Sequence, residues 1–535
     1  MEAFLTKAII RLQSRQRKDP FSVRRPGAAV ASGLVLALAH PYADVGPLAW
    51  IALVPLLISL RTARWRESVW LGYLAGVAFF GVLVSWAATF GYAAWVALAL
   101  YQAVFWAAFG ALAGPLCRRG GWGMVLGVPA AWVLLEWARA WGALGFTWGS
   151  LAVSQHANLP VLQLGAIGGP YLISLVVATA NAAVADLLSA TGMLGSVGHG
   201  SATGGARLWP SAATLALVVA AVAAGWVRLG GVRAHEDTGP VLRAGLVQAG
   251  INRVRGGDFE DPYLALATYE RLTLGLRGRA SLVVWPETAV PTLAIQDPGI
   301  RARLLALARR ADVTLAVGAF EANPSGRLSN CIDVIASSGR AVGRYAKVHL
   351  VPFGEYVPAP RFRSFLMRWG VPSEDLVPGR ARRPINTTVA RLGPLICFES
   401  SQPEAAREQV RQGAQVLLVA TNDAWFGTTA AGRQHLAFCA LRAAENGRYV
   451  LRAATTGVTA CFDDSGRLVA QAPVGGQATL PANVRLRSGL TPYAKYGDWP
   501  VWLALAMLLG SYLVCWGWAY IKGKPAAGGR GRTLG

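Results

Sequence analysis

Three short segments of the sequence end an apolar run with a reactive side chain. These side chains are the carboxylate of Glu287 after Leu282–Pro286, the ammonium group of Lys347 after Tyr345-Ala346, and the thiol of Cys397 after Leu395-Ile396. A thiol beside a base and a cation is a nucleophile assembly, because the carboxylate accepts the proton and the cation favours the thiolate and the oxyanion formed on attack. Such chemistry needs no metal, and we expect neither a metal nor another cofactor.

Each of these residues has an ordinary structural explanation when it is considered alone. Cys397 is then a small buried hydrophobic residue, Glu287 a surface acid and Lys347 a solvated charge at a strand end. Their combination is what favours covalent catalysis. His349 and His435 are the nearest spare acid–base groups, and for both we expect structural hydrogen bonding.

The six cysteines do not have the spacing of a metal site, and no zinc or haem motif is present. Cys117 and Cys515 lie in or beside apolar runs. A disulfide among Cys331, Cys439 and Cys461 is compatible with an oxidising compartment. The sequence alone does not choose a pair.

The stretch from about 239 to 495 is typical of one soluble domain, because charged residues are frequent and apolar runs have the length of strands. Strands that alternate with helices predict an α/β fold in which helices cover a sheet. The carboxyl ends of such strands are where ligand sites form. The predicted strands include 241–248, 281–285, 313–317, 392–397 and 416–421, and the predicted helices include 262–276 and 301–311.

The remainder of the chain is strongly apolar. Hydrophobic residues make up 54% of the sequence and charged residues only 15%, which is unusual for a soluble protein. Several apolar runs approach the roughly 20 residues that cross a bilayer as a helix. We predict seven spans before the soluble domain and one after it, near 27–43, 45–60, 69–90, 92–114, 122–140, 160–188, 210–228 and 499–521.

The formal net charge of +23 reflects membrane topology rather than nucleic-acid binding. Basic residues precede the first span and follow the second, fourth and eighth, whereas loops such as 40–46 are poorer in cations. The positive-inside rule then places both termini in the cytoplasm, and seven crossings place the soluble domain outside. An alternative left open is that the first span, which contains Ala37-Leu38-Ala39, is a cleavable signal peptide.

The segments around the reactive residues resemble the nitrilase superfamily, and more narrowly the apolipoprotein N-acyltransferase family. The resemblance covers nearly the whole chain and its motifs are specific. It rests on Trp285-Pro286-Glu287, on the segment 347–358, on Cys397-Phe398-Glu399, on the segment 421–427 and on Gln434-His435.

The resemblance implies Cys397 as the nucleophile, Glu287 as the general base and Lys347 as the oxyanion stabiliser. It also implies Glu355 as a second essential acid near the thiol and Glu399 as a supporting acid.

Four further residues of these motifs are candidates for substrate contact, namely Trp425, Phe426, Asn422 and Tyr356. Trp425 and Phe426 are the better candidates for gripping an acyl chain, with core packing as the alternative. Many relatives have tyrosine where this chain has Phe398, so a hydrogen bond from that hydroxyl is absent here.

The implied architecture is an α-helical transmembrane bundle joined to an extracytoplasmic nitrilase-like domain with αββα layers. The implied organisation, in a bacterial inner membrane, is a basic cytoplasmic segment at 1–26, a membrane domain at 27–230, a periplasmic catalytic domain at 239–495, a last helix at 499–521 and a basic cytoplasmic tail at 522–535.

The implied reaction moves a fatty acyl chain from the sn-1 position of a phospholipid, preferably phosphatidylethanolamine, to the N-terminal α-amine of S-diacylglyceryl-cysteine in an apolipoprotein. The acyl chain passes through a thioester on Cys397, with ping-pong kinetics. We expect a monomer, because one chain contains every required group, and we expect no nucleic-acid partner.

Two other functions fit parts of the pattern. A membrane-tethered nitrilase-type amidase would use the same three residues with water as the acceptor, but a tether needs one span rather than eight. An inactive nitrilase-like domain of a transporter or scaffold would only bind partners. The intact set of Glu287, Lys347 and Cys397 argues against that function.

Overall fold

The structure is a computed structural model that describes residues 20–191, 204–251, 262–290, 292–358, 360–367 and 374–523. Most of the basic segments predicted at 1–26 and 522–535 therefore lies outside the described residues.

The first part of the chain is helical, and every predicted span overlaps a helix. The second span is the exception in form, because it consists of a 3-10 turn at Gly46–Trp50 followed by a short helix. The helices are α1 (Pro20–Leu38), α2 (Val54–Leu60), α3 (Trp65–Leu83), α4 (Tyr92–Arg119), α5 (Gly121–Arg139), α6 (Leu159–Leu162), α7 (Gly165–Ala190) and α8 (Gly204–Ala234).

Four helices in the described ranges are long and apolar enough to cross a membrane. They are α4, α5, α7 and the portion Leu208–Ala234 of α8. The segments Gly46–Leu60 and Trp499–Val514 are apolar but shorter. The predicted apolar bundle is thus confirmed, while the number of crossings stays a prediction.

A buried asparagine bonds the backbone groups that the interrupted helix of the second span leaves unpaired. The Asn181 side chain of α7 donates to the carbonyl oxygen of Ala49 and accepts from the backbone N–H of Leu53, each at 2.8 Å. Inside a bilayer no water is present to bond these groups, so a side chain must do so. The interruption is therefore compatible with a position inside the bundle.

Helices α3 and α4 approach closely because both have glycine on their facing sides. A Cβ atom on Gly72 would overlap the carbonyl oxygen of Trp106, and one on Gly110 would overlap that of Ser68. Small residues let membrane helices pack backbone to backbone, which matters where lipid supplies no hydrophobic force between them.

The second part of the chain forms two six-stranded sheets, in the orders β12-β1-β2-β3-β4-β5 and β11-β10-β9-β8-β7-β6. The strands are β1 (Val241–Gln248), β2 (Leu282–Val284), β3 (Thr314–Ala322), β4 (Leu328–Ile335), β5 (Ala341–Ala346), β6 (Ile385–Asn386), β7 (Arg391–Ile396), β8 (Val416–Thr421), β9 (Val450–Ala454), β10 (Ala460–Phe462), β11 (Leu468–Gln471) and β12 (Ala478–Arg485). The helices are α9 (Pro262–Leu274), α10 (Pro298–Ala311), α11 (Arg363–Leu366), α12 (Pro403–Arg411), α13 (Ala431–Asn446), α14 (Pro492–Tyr496) and α15 (Trp499–Gly523).

The two sheets pack face to face between two layers of helices. Along β1, Leu242, Ala244 and Leu246 face the other sheet, while Val247 lies in the core beneath α9 and α10. Such alternation is what a strand with two covered faces requires. Helices α12 and α13 cover the second sheet, so the predicted αββα layering is confirmed.

Helix α13 joins this domain to the membrane bundle. One apolar core extends from the bundle helices through α13 to the second sheet. The buried amide of Gln434 accepts from the Trp86 indole at 3.1 Å and donates to the carbonyl oxygen of Leu83 at 3.0 Å. The two parts therefore share one core.

The three cysteines considered for a disulfide do not form one. Cys331, Cys439 and Cys461 are buried free thiols. The question that the sequence left open is thereby answered, and no disulfide supports this domain among the described residues.

We predict that Gly72→Leu destabilises the bundle. The new side chain collides with the backbone of α4, and overpacking of this kind costs about 1–3 kcal/mol. The apparent midpoint of thermal unfolding in detergent, followed by tryptophan fluorescence, should fall by roughly 3 °C or more. Gly81→Leu is the matched control in the same helix, since nothing lies within 4 Å of its Cβ position. An equal midpoint for the two variants would contradict the close approach of α3 and α4.

Candidate active site

A buried lysine lies at the centre of the candidate site. Lys347, the residue after β5, is 1% exposed. Its Nζ atom lies 2.8 Å from Oε1 of Glu355 and 3.3 Å from Oε1 of Glu287. Because a buried ammonium group is tolerated only when it is paired, the two carboxylates account for its position. The structure thus brings three of the predicted site residues into direct contact.

Glu287, just after β2, is held by two donors besides Lys347. The Asn330 side chain donates to its Oε1 at 2.7 Å, and the backbone N–H of Asn422 donates to its Oε2 at 2.9 Å. A Cβ atom on the neighbouring Gly318 would overlap the carbonyl oxygen of the residue before Glu287. This carboxylate therefore has one defined orientation.

Glu355 comes from a loop rather than from a strand. Its Oε2 accepts from the backbone N–H of Val351 at 2.7 Å, and its Oε1 accepts from Lys347. The turn that makes this possible contains Phe353 with φ of 62°. Glu355 and Glu287 therefore share one ammonium group between two carboxylates.

Cys397 stands where β7 gives way to the 3-10 turn Cys397–Ser401. Its φ of 51° lies in the left-handed region, which residues other than glycine rarely adopt. Thr288, with φ of 48°, shows the same strain beside Glu287. Backbone strain of this kind persists only where the surroundings determine the conformation. Cys397 is partly exposed, and the N–H of Phe398 lies in the first turn of this 3-10 segment, which offers it no acceptor.

Glu399 is a structural centre of the nucleophile loop. It is fully buried, and its oxygens accept from the Tyr345 hydroxyl and from the backbone N–H groups of Ile396, Val348 and His349 at 2.9–3.1 Å. Burial raises the pKa of Glu399, and the backbone donors oppose that rise. The carboxylate ties the nucleophile loop to the lysine segment.

The electrostatics of the site favour a protonated thiol. Burial raises the pKa of Cys397 well above its ordinary value, and the charge of Glu287 acts in the same direction while Lys347 opposes both. Burial acts to lower the pKa of Lys347, but Glu355 and Glu287 outweigh it and keep the pKa above its ordinary value. The lysine is therefore a permanent cation.

Aromatic rings from both parts of the chain stack beside the nucleophile. Trp148, in the segment between α5 and α6, stacks on Phe398 with ring centroids 5.6 Å apart and planes at 9°. Phe146 stacks on Trp148 at 5.3 Å, and His349 stacks on Phe398 at 5.6 Å. Burial lowers the pKa of His349 to about 4, so its ring is neutral at pH 7. The membrane bundle therefore supplies one wall of the site.

Two buried charged residues of α5 hold the segment that carries Trp148. Arg139 donates to the carbonyl oxygens of Phe146 at 3.1 Å and of Trp148 at 2.5 Å. Glu136 accepts from the backbone N–H of Leu151 at 2.8 Å. Charges near the membrane are costly unless bonded, and here their partners fix the segment that contacts the nucleophile loop.

The four candidates for substrate contact differ in their surroundings. The Asn422 side chain accepts from Thr455 at 2.7 Å, and the Tyr356 hydroxyl donates to the carbonyl oxygen of Ala143 at 2.7 Å. Phe426 packs on Trp86 at 5.2 Å between ring centroids, whereas Trp425 is 42% exposed. Substrate contact by these residues stays a prediction.

Several residues of the site were not found from the sequence. Asn330 was missed because one polar residue in a strand is common. Arg452 offered a signal, since it stands in the apolar strand Val450–Ala454 and a buried charge must be paired. Its partner is Asp423, at 2.5 Å. Trp148 lies far from the motifs in sequence and could not be assigned to the site.

We predict that Glu399→Gln damages the nucleophile loop. The amide nitrogen would face backbone N–H donors, and a buried donor without an acceptor costs about 1–3 kcal/mol. The apparent midpoint of thermal unfolding should fall by roughly 3 °C or more, and the rate of covalent modification of Cys397 by an activated ester should fall with it. Glu408→Gln is the control, because that side chain is 46% exposed in a surface pair with Arg382. Wild-type stability and reactivity in Glu399→Gln would contradict the assignment.

Comparisons with known proteins match both parts of the chain. The family model described as the apolipoprotein N-acyltransferase N-terminal domain matches residues 32–183, and the model described as carbon-nitrogen hydrolase matches residues 243–489. The solved carbon-nitrogen hydrolase from Helicobacter pylori G27 aligns with 53% of this chain and 95% of its own, at 18% identity and a TM-score of 0.37, a likeness too distant to bear on function.

Curated relatives match nearly from end to end. The apolipoprotein N-acyltransferase of Geobacter metallireducens is 33% identical over 506 residues, which cover 89% of this chain and 92% of the relative. That of Gloeobacter violaceus is 33% identical over 543 residues, which cover 98% of each chain. On this similarity, the chain belongs to the apolipoprotein N-acyltransferase family.

Proposed function

We propose that this family member moves a fatty acyl chain from a phospholipid to the N-terminal α-amine of a diacylated lipoprotein, through a thioester on Cys397. The observation that carries the proposal is the position of Cys397, which lies beside the Glu287–Lys347–Glu355 cluster and on a loop packed against the membrane bundle. When the acyl donor and the acyl acceptor are both anchored in lipid, the nucleophile must lie next to the membrane part of the enzyme.

In the first half-reaction the Cys397 sulfur attacks the sn-1 ester carbonyl of a phospholipid, preferably phosphatidylethanolamine. Glu287 accepts the thiol proton as the carbon–sulfur bond forms, and Lys347 stabilises the oxyanion. Collapse of the tetrahedral intermediate breaks the ester bond, and the leaving alkoxide takes the proton from Glu287. A lysophospholipid departs and the enzyme retains the acyl thioester.

In the second half-reaction the free α-amine of S-diacylglyceryl-cysteine attacks the thioester. Glu287 accepts a proton from the amine, the carbon–sulfur bond breaks, and the thiolate of Cys397 takes that proton back. The products are an amide on the lipoprotein and the resting thiol. One site thus serves two substrates in turn, as ping-pong kinetics require.

The other contacts of the site have supporting roles in this proposal. Glu355 holds Lys347 in place and Glu399 holds the loop of Cys397. Trp425 and Phe426 are the proposed contacts for the acyl chain, and Tyr356 and Asn422 are further proposed contacts for substrate. No hydroxyl is present at Phe398.

The proposal includes a location in a bacterial inner membrane, with the catalytic domain at 239–495 on the periplasmic side. The membrane domain at 27–230 and the last helix at 499–521 would anchor it, with both termini in the cytoplasm. Support comes from the four long apolar helices and from the basic residues that flank the predicted spans. We expect the enzyme to act as a monomer.

The alternative function is hydrolysis of a small amide by the same three residues. It differs only in the acceptor, because water would replace the amine. The shared core between the bundle and α13 argues for the lipid substrate, since a simple tether needs no such packing.

We predict that the purified full-length protein gains the mass of one fatty acyl chain when it is incubated with phosphatidylethanolamine. Addition of a diacylated lipopeptide with a free N-terminus should remove that mass from the protein and add it to the lipopeptide. Cys397→Ala should gain nothing, because the nucleophile is absent. Intact-mass spectrometry measures each step.

Cys461→Ala is the matched control, because it removes a buried thiol outside the site. It should be acylated like the wild type. A folded wild type that gains no acyl mass but hydrolyses small amides would establish the alternative and overturn the proposal.

A further inference from the structure

A buried histidine contacts the backbone carbonyl group of the nucleophile, on the side that we call the rear. His435 on α13 is 1% exposed, and its Nε2 atom lies 3.0 Å from the carbonyl oxygen of Cys397 and 2.9 Å from Oγ of Ser400. The same carbonyl oxygen accepts from the Ser400 hydroxyl at 2.8 Å. The peptide group of the strained nucleophile is thus held by two donors.

The other side of the ring is also held. His435 Nδ1 lies 3.1 Å from Asp423 and 3.2 Å from the guanidinium group of Arg452, and these two residues form a buried ion pair at 2.5 Å. Residues of α13, of the turn that follows β8 and of the middle of β9 therefore meet behind Cys397. We call Asp423, Arg452 and His435 the rear clamp.

The contact between the ring and the nucleophile depends on which ring nitrogen carries the proton. A carbonyl oxygen only accepts, so Nε2 donates to the Cys397 carbonyl only when Nε2 is protonated. Nδ1 then accepts from Arg452 if the ring is neutral and donates to Asp423 if the ring is charged. In the other neutral form Nδ1 donates to Asp423 and Nε2 accepts from the Ser400 hydroxyl. We assign the proton to Nε2, because that form is the one that donates to the Cys397 carbonyl.

The direction of this carbonyl also decides where the next N–H points. In a planar trans peptide the C=O and N–H groups point in opposite directions. Since His435 contacts the Cys397 carbonyl, the N–H of Phe398 points away from His435. That N–H lies in the first turn of the 3-10 segment Cys397–Ser401, which offers it no acceptor.

We propose that His435 is a positioning residue, which fixes the Cys397–Phe398 peptide so that the Phe398 N–H donates to the oxyanion together with Lys347. The inference rests on the proposed function, since it concerns how the nucleophile turn is held while that acyl transfer forms its oxyanion. It adds the rear clamp to the residues on which the reaction depends.

Two reactions of Cys397 test the proposal in the full-length protein in detergent. Acylation by p-nitrophenyl hexanoate passes through an oxyanion, whereas alkylation by iodoacetamide displaces iodide at a saturated carbon and forms none. Peptide mass mapping at Cys397 follows both rates. Loss of a correctly placed oxyanion donor slows the first reaction alone.

The informative variants replace His435 with glutamine or asparagine, whose amide side chains differ in length. The longer side chain of His435→Gln extends to the Cys397 carbonyl, while that of His435→Asn extends only to the Asp423 side. We expect His435→Asn to slow acylation about 100-fold with alkylation within about threefold of wild type, and His435→Gln to recover to within about tenfold. Gln409→Leu is the control, because it removes a buried donor to the strand that precedes Cys397 and leaves the turn unchanged.

Equal loss of acylation and alkylation in His435→Asn would overturn the proposal, because the residue would then only hold the fold or the sulfur. Wild-type acylation in that variant would also overturn it. Because the activated ester acylates Cys397 without a phospholipid, the role of His435 can be tested even if the proposed function is wrong. If phospholipid fails to acylate the wild type while the ester succeeds, the substrate assignment is wrong and the clamp is still tested.

Discussion

One buried ammonium group shared by two carboxylates is the interaction on which the site depends. Lys347 is in contact with Glu287 and Glu355, which reach it from the end of β2 and from a loop. Burial of these charges is tolerated only if their geometry is correct, so the first sheet must bring the ends of β2 and β5 together. Burial, and after it the charge of Glu287, raise the pKa of Cys397 against the effect of Lys347, so the thiol stays protonated until a substrate arrives.

Contacts from several parts of the chain fix the conformation of the nucleophile loop. Glu399 binds it to the lysine segment, His435 contacts the carbonyl of Cys397 from α13, and Trp148 of the membrane bundle stacks on Phe398. These contacts explain how a cysteine persists at a positive φ. They also link the chemistry to the membrane, because Arg139 of α5 holds the segment that carries Trp148. The reacting thiol and the lipid-facing helices therefore belong to one structural unit.

Much of this arrangement could be predicted from the sequence, for physical reasons. The strands at 241–248 and 416–421 were predicted with their observed bounds, because turn residues flank short apolar runs. The second span was predicted as one short helix, and the structure divides it, since Asn181 satisfies the broken backbone from 128 residues away. Asn330, Trp148 and the partners of His435 were missed for the same reason. Each reaches the site through a tertiary contact that no local pattern records.

The central claim is that burial and the charge of Glu287 keep Cys397 as a thiol, which Glu287 deprotonates during attack. The most direct measurement is the ultraviolet absorbance of the thiolate, taken as the difference between the wild type and Cys397→Ala across pH. Since the pKa of the thiol is raised, we expect no thiolate at pH 7 and a signal that emerges only above the ordinary cysteine value of about 8.5. A full equivalent of thiolate at pH 7 would contradict the account, because Lys347 would then outweigh burial and the charge of Glu287.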